Sequence, residues 1–151
     1  MLDIQYVAGL FDGEGCISLV KQRRTNSPLP SYTMRVVISM THKPIIKLLQ
    51  AQFGGNYHER KGANSKTRNS FSLMWANQQA GTILQILIPH LILKRAEAEV
   101  ALEYVQTLSQ MGTSFWRGAT AAEIQVLQDK REVVRQRLAA MKRVEYELFG
   151  M

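Results

Sequence analysis

The stretch that most constrains the fold is Val7-Ala8-Gly9-Leu10-Phe11-Asp12-Gly13-Glu14-Gly15, near the start of the chain. Residues 4 to 11 contain a single strongly polar side chain, so a helix there would be apolar around almost its whole circumference. Such a helix is normally buried on every side. Ala8, Gly9 and Gly13 would form a strip of small residues at near-helical spacing. Because each glycine costs up to about 1 kcal/mol of helix propensity relative to alanine, the strip predicts close packing against another backbone.

The expected end of this helix is Gly13-Glu14-Gly15, where two permissive glycines flank one acid. The alternating run from Cys16 to Val20 follows at once and predicts a strand. A carboxylate held at the end of a buried helix is therefore a candidate functional group.

The nonapeptide resembles the signature of the LAGLIDADG homing endonuclease family. It differs at Phe11, where the family has an aliphatic residue, and at Glu14, where Asp is usual. The resemblance implies that the motif helices of two protomers pack together and that the penultimate acid of each holds a catalytic metal ion. It implies Mg²⁺, with Mn²⁺ or Ca²⁺ able to replace it for binding, held by Glu14 and by the backbone carbonyl of Gly13. The implied dimer interface consists of Val7, Ala8, Gly9, Asp12 and Gly13, and we expect Asp12 to make local backbone or interfacial hydrogen bonds.

The sequence contains one copy of this motif. The resemblance then implies that one chain is half of an enzyme and that a homodimer forms around the paired helices. Two-fold symmetry of the protein predicts a long, roughly palindromic DNA target.

Size and composition exclude several classes of protein. The 151 residues suit one domain. No apolar run reaches the roughly 18 residues of a membrane span, so we expect no membrane partner. The single Cys16 excludes an internal disulfide and suits a reducing compartment. The family resemblance implies the cytoplasm of a prokaryote or an organelle, a chloroplast or mitochondrion. A lone cysteine and three scattered histidines give no zinc pattern, and nothing points to a small-molecule cofactor.

The positive charge is concentrated in one part of the chain. Of the formal charge of +7, residues 16 to 76 carry +9, from ten basic residues and one acid, and the remainder carries −2. Clustered Lys and Arg side chains bind phosphates with counterion release. A polyanion is the expected partner, although a merely solvated basic face is the alternative.

Periodicity predicts an α+β chain in the order helix, hairpin, helix, hairpin, helices. We expect strands at 16–24, 33–41, 56–61 and 68–76, helices at 44–53, 78–88, 93–109 and 121–149, and a loop at 110–119. This order matches the α-β-β-α-β-β-α core that the resemblance implies, with a curved antiparallel four-stranded sheet lying in the major groove. We expect the endonuclease core to span residues 1–110, and residues 111–151 to form a C-terminal loop and helical extension of the same domain.

Two further residues match positions of the family site. Lys94 matches a lysine that borders the metal-bound water, and a cation is poorly placed there for the dipole of the helix that follows. His42 falls where the family often has a polar residue that orders water. The resemblance thus implies Glu14, Lys94 and His42 as catalytic residues.

Recognition of the DNA sequence is assigned to polar side chains on the outer face of the strands. Among such contacts, Arg pairs with guanine and Gln with adenine. Basic residues of the hairpins would add phosphate contacts. The predicted DNA-binding set is Ser18, Gln22, Arg24, Thr33, Arg35, Ser39, Arg60, Lys61, Arg68, Ser70 and Ser72.

Three alternatives to a site-specific double-strand DNA endonuclease stay open. The same fold occurs in RNA maturases and in DNA-binding proteins that do not cut. A scaffold with no nucleic-acid role would give no salt-dependent binding.

The mixed charges of the last helix do not decide whether it packs on the core or flanks the DNA.

Overall fold

Helices and strands alternate in the order that the sequence predicts. The computed structural model describes residues 1–108 and 113–149. The elements are α1 Ile4–Glu14, β1 Gly15–Gln22, β2 Ser31–Met40, α2 Lys43–Phe53, β3 Asn56–Arg60, β4 Ser70–Ala76, α3 Gln78–Leu87 with a 3₁₀ turn at Ile88–His90, α4 Arg95–Leu108, α5 Thr113–Gly118 and α6 Ala121–Phe149.

The four strands form one antiparallel sheet in the order β1-β2-β4-β3. Each hairpin pairs its own strands, and the hairpins join through β2 and β4, where Val36 lies opposite Trp75. The α+β class and the α-β-β-α-β-β-α order are therefore confirmed.

One face of the sheet is buried beneath the helices. Every second strand residue points into the core, as the period-two pattern predicts. Ile17, Met34, Leu73 and others pack against the buried faces of α1, α2, α3 and α4. The opposite face, which we call the open face, stays partly exposed and carries the polar strand residues.

Helix α1 is covered on one side only. Val7, Ala8 and Phe11 are buried, whereas Gly9 and Gly13 are exposed. The prediction of burial on every side is therefore wrong for the single chain, because the core lies on only one side of the helix. A side chain at Gly9 or Gly13 would meet no atom within 4 Å.

Gly15, at the junction between α1 and β1, is required for steric reasons within the chain, unlike Gly9 and Gly13. A Cβ at Gly15 would lie 2.5 Å from the ring of Phe11 and from its carbonyl oxygen. Gly15 therefore lets β1 turn back tightly over the last turn of α1, which fixes Glu14 at the junction.

Several boundaries differ from those expected. Strand β1 ends at Gln22, so Arg24 lies beyond it in the β1–β2 connection. Helix α2 buries Ile46 and Leu49, whereas Leu48 is 53% exposed, because the helical phase turns Leu48 away from the sheet. Helix α4 begins at Arg95, two residues later than predicted, and the backbone N–H groups of Ile92 and Lys94 ahead of it donate to Asp12.

The C-terminal part of the chain packs on the core. The expected boundary at residue 110 lies outside the described residues, and α5 occupies part of the predicted loop. Thr120 and Glu123 form the reciprocal capping box at the start of α6. Helix α6 then lies along β1, the edge strand, where Leu138 is buried and Lys142 donates to the Ile17 carbonyl at 2.6 Å. This placement covers a sheet edge that would otherwise be open to pairing.

Among the described residues, no helix combines the length and apolarity needed to cross a membrane.

Candidate functional site

Glu14 occupies the point where the motif helix meets the sheet. It is the last residue of α1 and is exposed, and the next residue, Gly15, pairs with Ile38 of β2. The carboxylate is therefore available to a ligand at one end of the sheet. Gly13 lies in the same last turn, where helix carbonyls lack an intrahelical partner.

Asp12 is the buried acid of the motif. Its two carboxylate oxygens accept hydrogen bonds from the backbone N–H groups of Ile92 at 2.9 Å and Lys94 at 3.0 Å. We expected local or interfacial bonds, but these lie within the chain and span about 80 residues. Asp12 thus fastens the end of α1 to the segment that precedes α4.

Lys94 returns to the same residue with its side chain. Its Nζ donates to the backbone carbonyl of Asp12 at 2.6 Å. The ammonium therefore lies at the C-terminal end of α1, where the helix dipole favours a cation. The Lys94 ammonium therefore interacts favourably with the dipole of α1, and its partner Asp12 lies two residues before Glu14 in that helix.

His42 is the N-cap residue of α2. Its Nδ1 accepts a hydrogen bond from the backbone N–H of Ile45 at 3.3 Å, and its side chain is exposed. Because β2 ends at Met40 and Ile38 lies opposite Gly15, His42 belongs to the end of the sheet that carries Glu14.

Each chain supplies few metal ligands. Within residues 1–108 and 113–149, no group of three or more His, Cys, Asp or Glu side chains could hold a metal ion. The carboxylate of Glu14 and the carbonyl of Gly13 are hard oxygen donors of the type that Mg²⁺ and Ca²⁺ prefer. These donors fit the implied metal, but they leave most coordination positions to water or to groups outside the chain.

The open face gathers most of the predicted DNA-binding residues. Neighbouring strands place them in rows, because directly paired residues share a face of the sheet. The row nearest Glu14 contains Ser39, Ser72 and His58, and a later row contains Ser18, Arg35 and Ala76. The open-face members of the predicted set are Ser18, Gln22, Thr33, Arg35, Ser39, Arg60, Ser70 and Ser72.

Solved structures with the same architecture identify the fold. The chain matches the homing endonuclease I-CvuI in complex with the I-CreI target with a TM-score of 0.71, at 18% identity, covering 91% of this chain and 80% of that chain. It matches the archaeal intron-encoded homing endonuclease I-Vdi141I complexed with DNA with a TM-score of 0.69, at 13% identity, covering 91% and 82%. It matches the LAGLIDADG homing endonuclease I-GzeII in complex with a DNA target with a TM-score of 0.66, at 15% identity, covering 85% and 42%. The fold is that of the LAGLIDADG homing endonucleases. No protein-family model and no curated protein matches the sequence.

The exposed side of the LAGLIDADG helix is bordered by apolar side chains. Tyr6, on the same side as Gly9, is 53% exposed. Gln52 of α2 hydrogen-bonds to the backbone of Leu2, just before α1, in both directions, at 2.8 and 3.1 Å, and Leu48, one turn before Gln52 in α2, is exposed. At the other end of the helix, Ile92 and Leu93 are 83% and 66% exposed.

This geometry divides the predicted interface residues of the LAGLIDADG helix into buried and outward-facing ones. The side chains of Val7, Ala8 and Asp12 are buried in their own chain, with exposures of 3%, 0% and 9%, because they lie on the core side of α1. Gly9 and Gly13 are the members of the predicted set that face outward.

Sequence reasoning missed two residues of the LAGLIDADG sheet. Asn56 and His58 lie on the open face of β3, in phase with Arg60. The period-two rule applied backward from Arg60 would have found both. Three predicted residues, Arg24, Lys61 and Arg68, lie in connections beyond the strand ends, where they are exposed.

Three basic residues of the positively charged segment 16–76 have side-chain partners within the chain. Lys21 pairs with Glu132 at 3.3 Å, Lys43 with Glu59 at 3.5 Å, and Lys47 lies 3.5 Å from the centre of the Tyr57 ring. These residues belong to α2 or to the core-facing phase of β1, so they contribute positive potential rather than direct contacts on the open face.

Glu132 links the C-terminal helix to the sheet of the LAGLIDADG fold. It accepts hydrogen bonds from Arg135 and, at 2.7 Å, from the hydroxyl of Tyr32 in β2. The hydrogen bonds from Arg135 and then Tyr32 lower the pKa of Glu132 to about 2. Burial, together with the hydrogen bond to Glu132, raises the pKa of Tyr32 to about 12.

Proposed function

We propose that this chain is one half of a homodimeric, site-specific double-strand DNA endonuclease that uses a divalent metal ion. The carrying observation is the exposed Glu14 carboxylate, held at the end of the motif helix and level with the end of the open face. A protein that only binds DNA gains nothing from an acid beside phosphate groups, because like charges repel.

The charge and shape of the open face support duplex DNA as the substrate. All four strands lie almost entirely within the segment that carries +9. The exposed Arg24, Lys61 and Arg68 at the strand ends suit phosphate contacts, which fix register, while the strand side chains suit base contacts, which specify sequence. The neighbours of this fold include homing endonucleases solved in complex with DNA targets.

The exposed side of α1 supports a two-fold dimer. The chain itself has no steric need for glycine at positions 9 and 13, yet each costs about 1 kcal/mol relative to alanine. Close approach of a second α1 helix explains both residues, and burial of Tyr6, Leu48, Ile92 and Leu93 would add apolar area. Two Glu14 carboxylates would then lie near the two-fold axis.

The reaction assigned to this dimer is hydrolysis of phosphodiester bonds. Glu14 and the Gly13 carbonyl would bind Mg²⁺, and a bound divalent ion supplies a more acidic water and neutralises phosphate charge. Lys94, which the Asp12 carbonyl holds beside the end of α1, would stabilise charge on the phosphate. His42 would order water through Nε2, because its Nδ1 already accepts the N–H of Ile45. The solved structures of I-CvuI were obtained with Mg or Ca present.

The decisive experiment incubates the purified protein with a randomised duplex DNA library and Mg²⁺, followed by sequencing of the cut ends. We expect cuts within one roughly palindromic sequence. Glu14→Gln should abolish cleavage while retaining binding of the selected duplex in Ca²⁺. Glu123→Gln, which replaces an exposed acid at the start of α6, is the matched control.

Two other results would replace this proposal. Tight duplex binding without cleavage in Mg²⁺ would assign the chain to DNA-binding proteins that do not cut. A preference for structured intron RNA over duplex DNA would assign it to maturases.

A further inference from the structure

The open face carries an apolar band between two polar rows. The register aligns Cys16 of β1, Val37 of β2 and Met74 of β4 in one row, with Asn56 of β3 at its end. Val37 and Met74, which we call the apolar band, lie on the two central strands and are only partly buried. The band therefore lies on the face of the sheet where polar residues are expected.

The polar rows on either side are well defined. The row toward Glu14 holds Ser39, Ser72 and His58, and the row away from Glu14 holds Ser18 and Arg35, with Ala76 at its end. The Nε of Arg35 is buried without a hydrogen-bond partner in the described structure, so its guanidinium has donor capacity available.

The distance between neighbouring rows is about twice the rise per base pair of duplex DNA. Residues two apart on a strand are separated by about 6.8 Å, and base pairs along one strand rise by about 3.4 Å. Each row therefore corresponds to about two base pairs of a duplex that follows the strands. In the major groove, the one apolar group that base pairs offer is the C5-methyl of thymine, which apolar side chains contact.

Resting on the function proposed above, we infer that the Val37–Met74 band reads thymine methyl groups in the DNA target. The thymines lie in each half-site between the base pairs nearest the cleavage position and the base pair contacted by Arg35. This assigns part of the target sequence from the order of the rows: polar contacts, then methyl contacts, then a contact favouring guanine.

The test uses the duplex selected from the randomised library, with the thymines of each half-site replaced one at a time by deoxyuridine. This change removes the methyl group and keeps the Watson–Crick pairing. At one or two positions of each half-site, loss of the methyl should weaken binding in Ca²⁺ about fourfold, the value of one buried methyl group. Replacement at other thymines should have no effect.

The Val37→Ser variant links the effect to this band. Serine removes both methyl groups of valine and presents a hydroxyl. In this variant the same deoxyuridine replacement should lose its effect, while Val126→Ser, at a residue 54% exposed on α6, should preserve it.

Each outcome separates the inference from the proposed function. A duplex that is cut normally but shows no methyl dependence at any position overturns the inference alone. A methyl effect that persists unchanged in Val37→Ser also overturns it. Failure to bind or cut any duplex overturns the proposed function and the inference with it.

Discussion

The side-chain ammonium of Lys94 donates a 2.6 Å hydrogen bond to the backbone carbonyl of Asp12, and the carboxylate of Asp12 accepts the backbone N–H of Lys94 at 3.0 Å. These reciprocal bonds join the last turn of α1 to the start of α4. Because Glu14 follows two residues after Asp12, the same bonds fix the backbone position of Glu14 relative to Lys94.

Replacement of Lys94 by methionine should separate cleavage from binding. Methionine keeps much of the side-chain length and removes the charge, so we expect cleavage to fall about 10²-fold, as for loss of one preorganised donor. Target binding in Ca²⁺ should fall less than about fivefold, since an exposed charge contact is worth about 1 kcal/mol at most. Arg95→Met, which removes an exposed pair with Glu99, is the control. Equal losses in cleavage and binding would make Lys94 a simple phosphate contact.

Asp12→Asn should destabilise the fold. The amide retains one acceptor oxygen for two backbone N–H groups and turns its own NH₂ toward one of them. We expect a loss of about 1–3 kcal/mol in the free energy of unfolding, measured in urea. Asp129→Asn, at an exposed position on α6, should change it little. An unchanged unfolding midpoint for Asp12→Asn would exclude this tethering role.

Gly9→Leu should yield folded monomers. No atom of the chain lies within 4 Å of a Cβ at this position, so the fold should tolerate the side chain. A second helix approaching closely would not, and overpacking costs about 1–3 kcal/mol or more. Light scattering measures the mass, and circular dichroism checks folding. Ala140→Leu, at an exposed position of α6, should remain dimeric. Were Gly9→Leu also dimeric, the α1 interface would have to be abandoned.

Two replacements of His42 should distinguish the helix cap from the catalytic role. Asparagine is a good N-cap residue, whereas alanine loses about 1 kcal/mol there. We expect His42→Asn to keep thermal stability but to cleave more slowly, because it removes the imidazole donor. His42→Ala should lose both stability and rate. Normal cleavage by His42→Asn would leave His42 a cap only.

The Glu132 network should make stability depend on pH at the acid end. The pKa of Glu132 is lowered from 4.5 to about 2 on folding, so the folded state binds fewer protons than the unfolded state in this range. Its contribution is complete above about pH 4.5 and is lost as the pH falls through about 2.

The measurement is the melting temperature against pH for wild type and Glu132→Gln. The variant should melt lower at neutral pH, and the difference should shrink on acidification. Glu103→Gln, at an exposed position of α4, should follow wild type. A difference that stayed constant down to the lowest pH would exclude the proton linkage.

Local sequence patterns predicted much of the fold. Period-two alternation found the buried face of each strand, since neighbouring side chains must point to opposite faces of a sheet. Glycines and prolines marked the turns, and the Thr120–Glu123 pair marked the start of α6. The motif also placed Glu14 at the end of a helix, because it contains both the apolar helix residues and the glycines that end the helix.

The tertiary structure determined which elements pack against each other and which of their faces stay exposed. The sequence could not reveal that Asp12 and Lys94 bind each other, because that contact joins residues 82 apart. Nor could it predict that α6 lies along β1, where Lys142 meets the Ile17 carbonyl, since the mixed charges of α6 suit packing and solvent equally. The chain alone determined the periodicity and the glycine positions, which are local properties. Only the packed fold determined which side of α1 remains uncovered and which strand residues line up in rows, because both depend on partners distant in sequence.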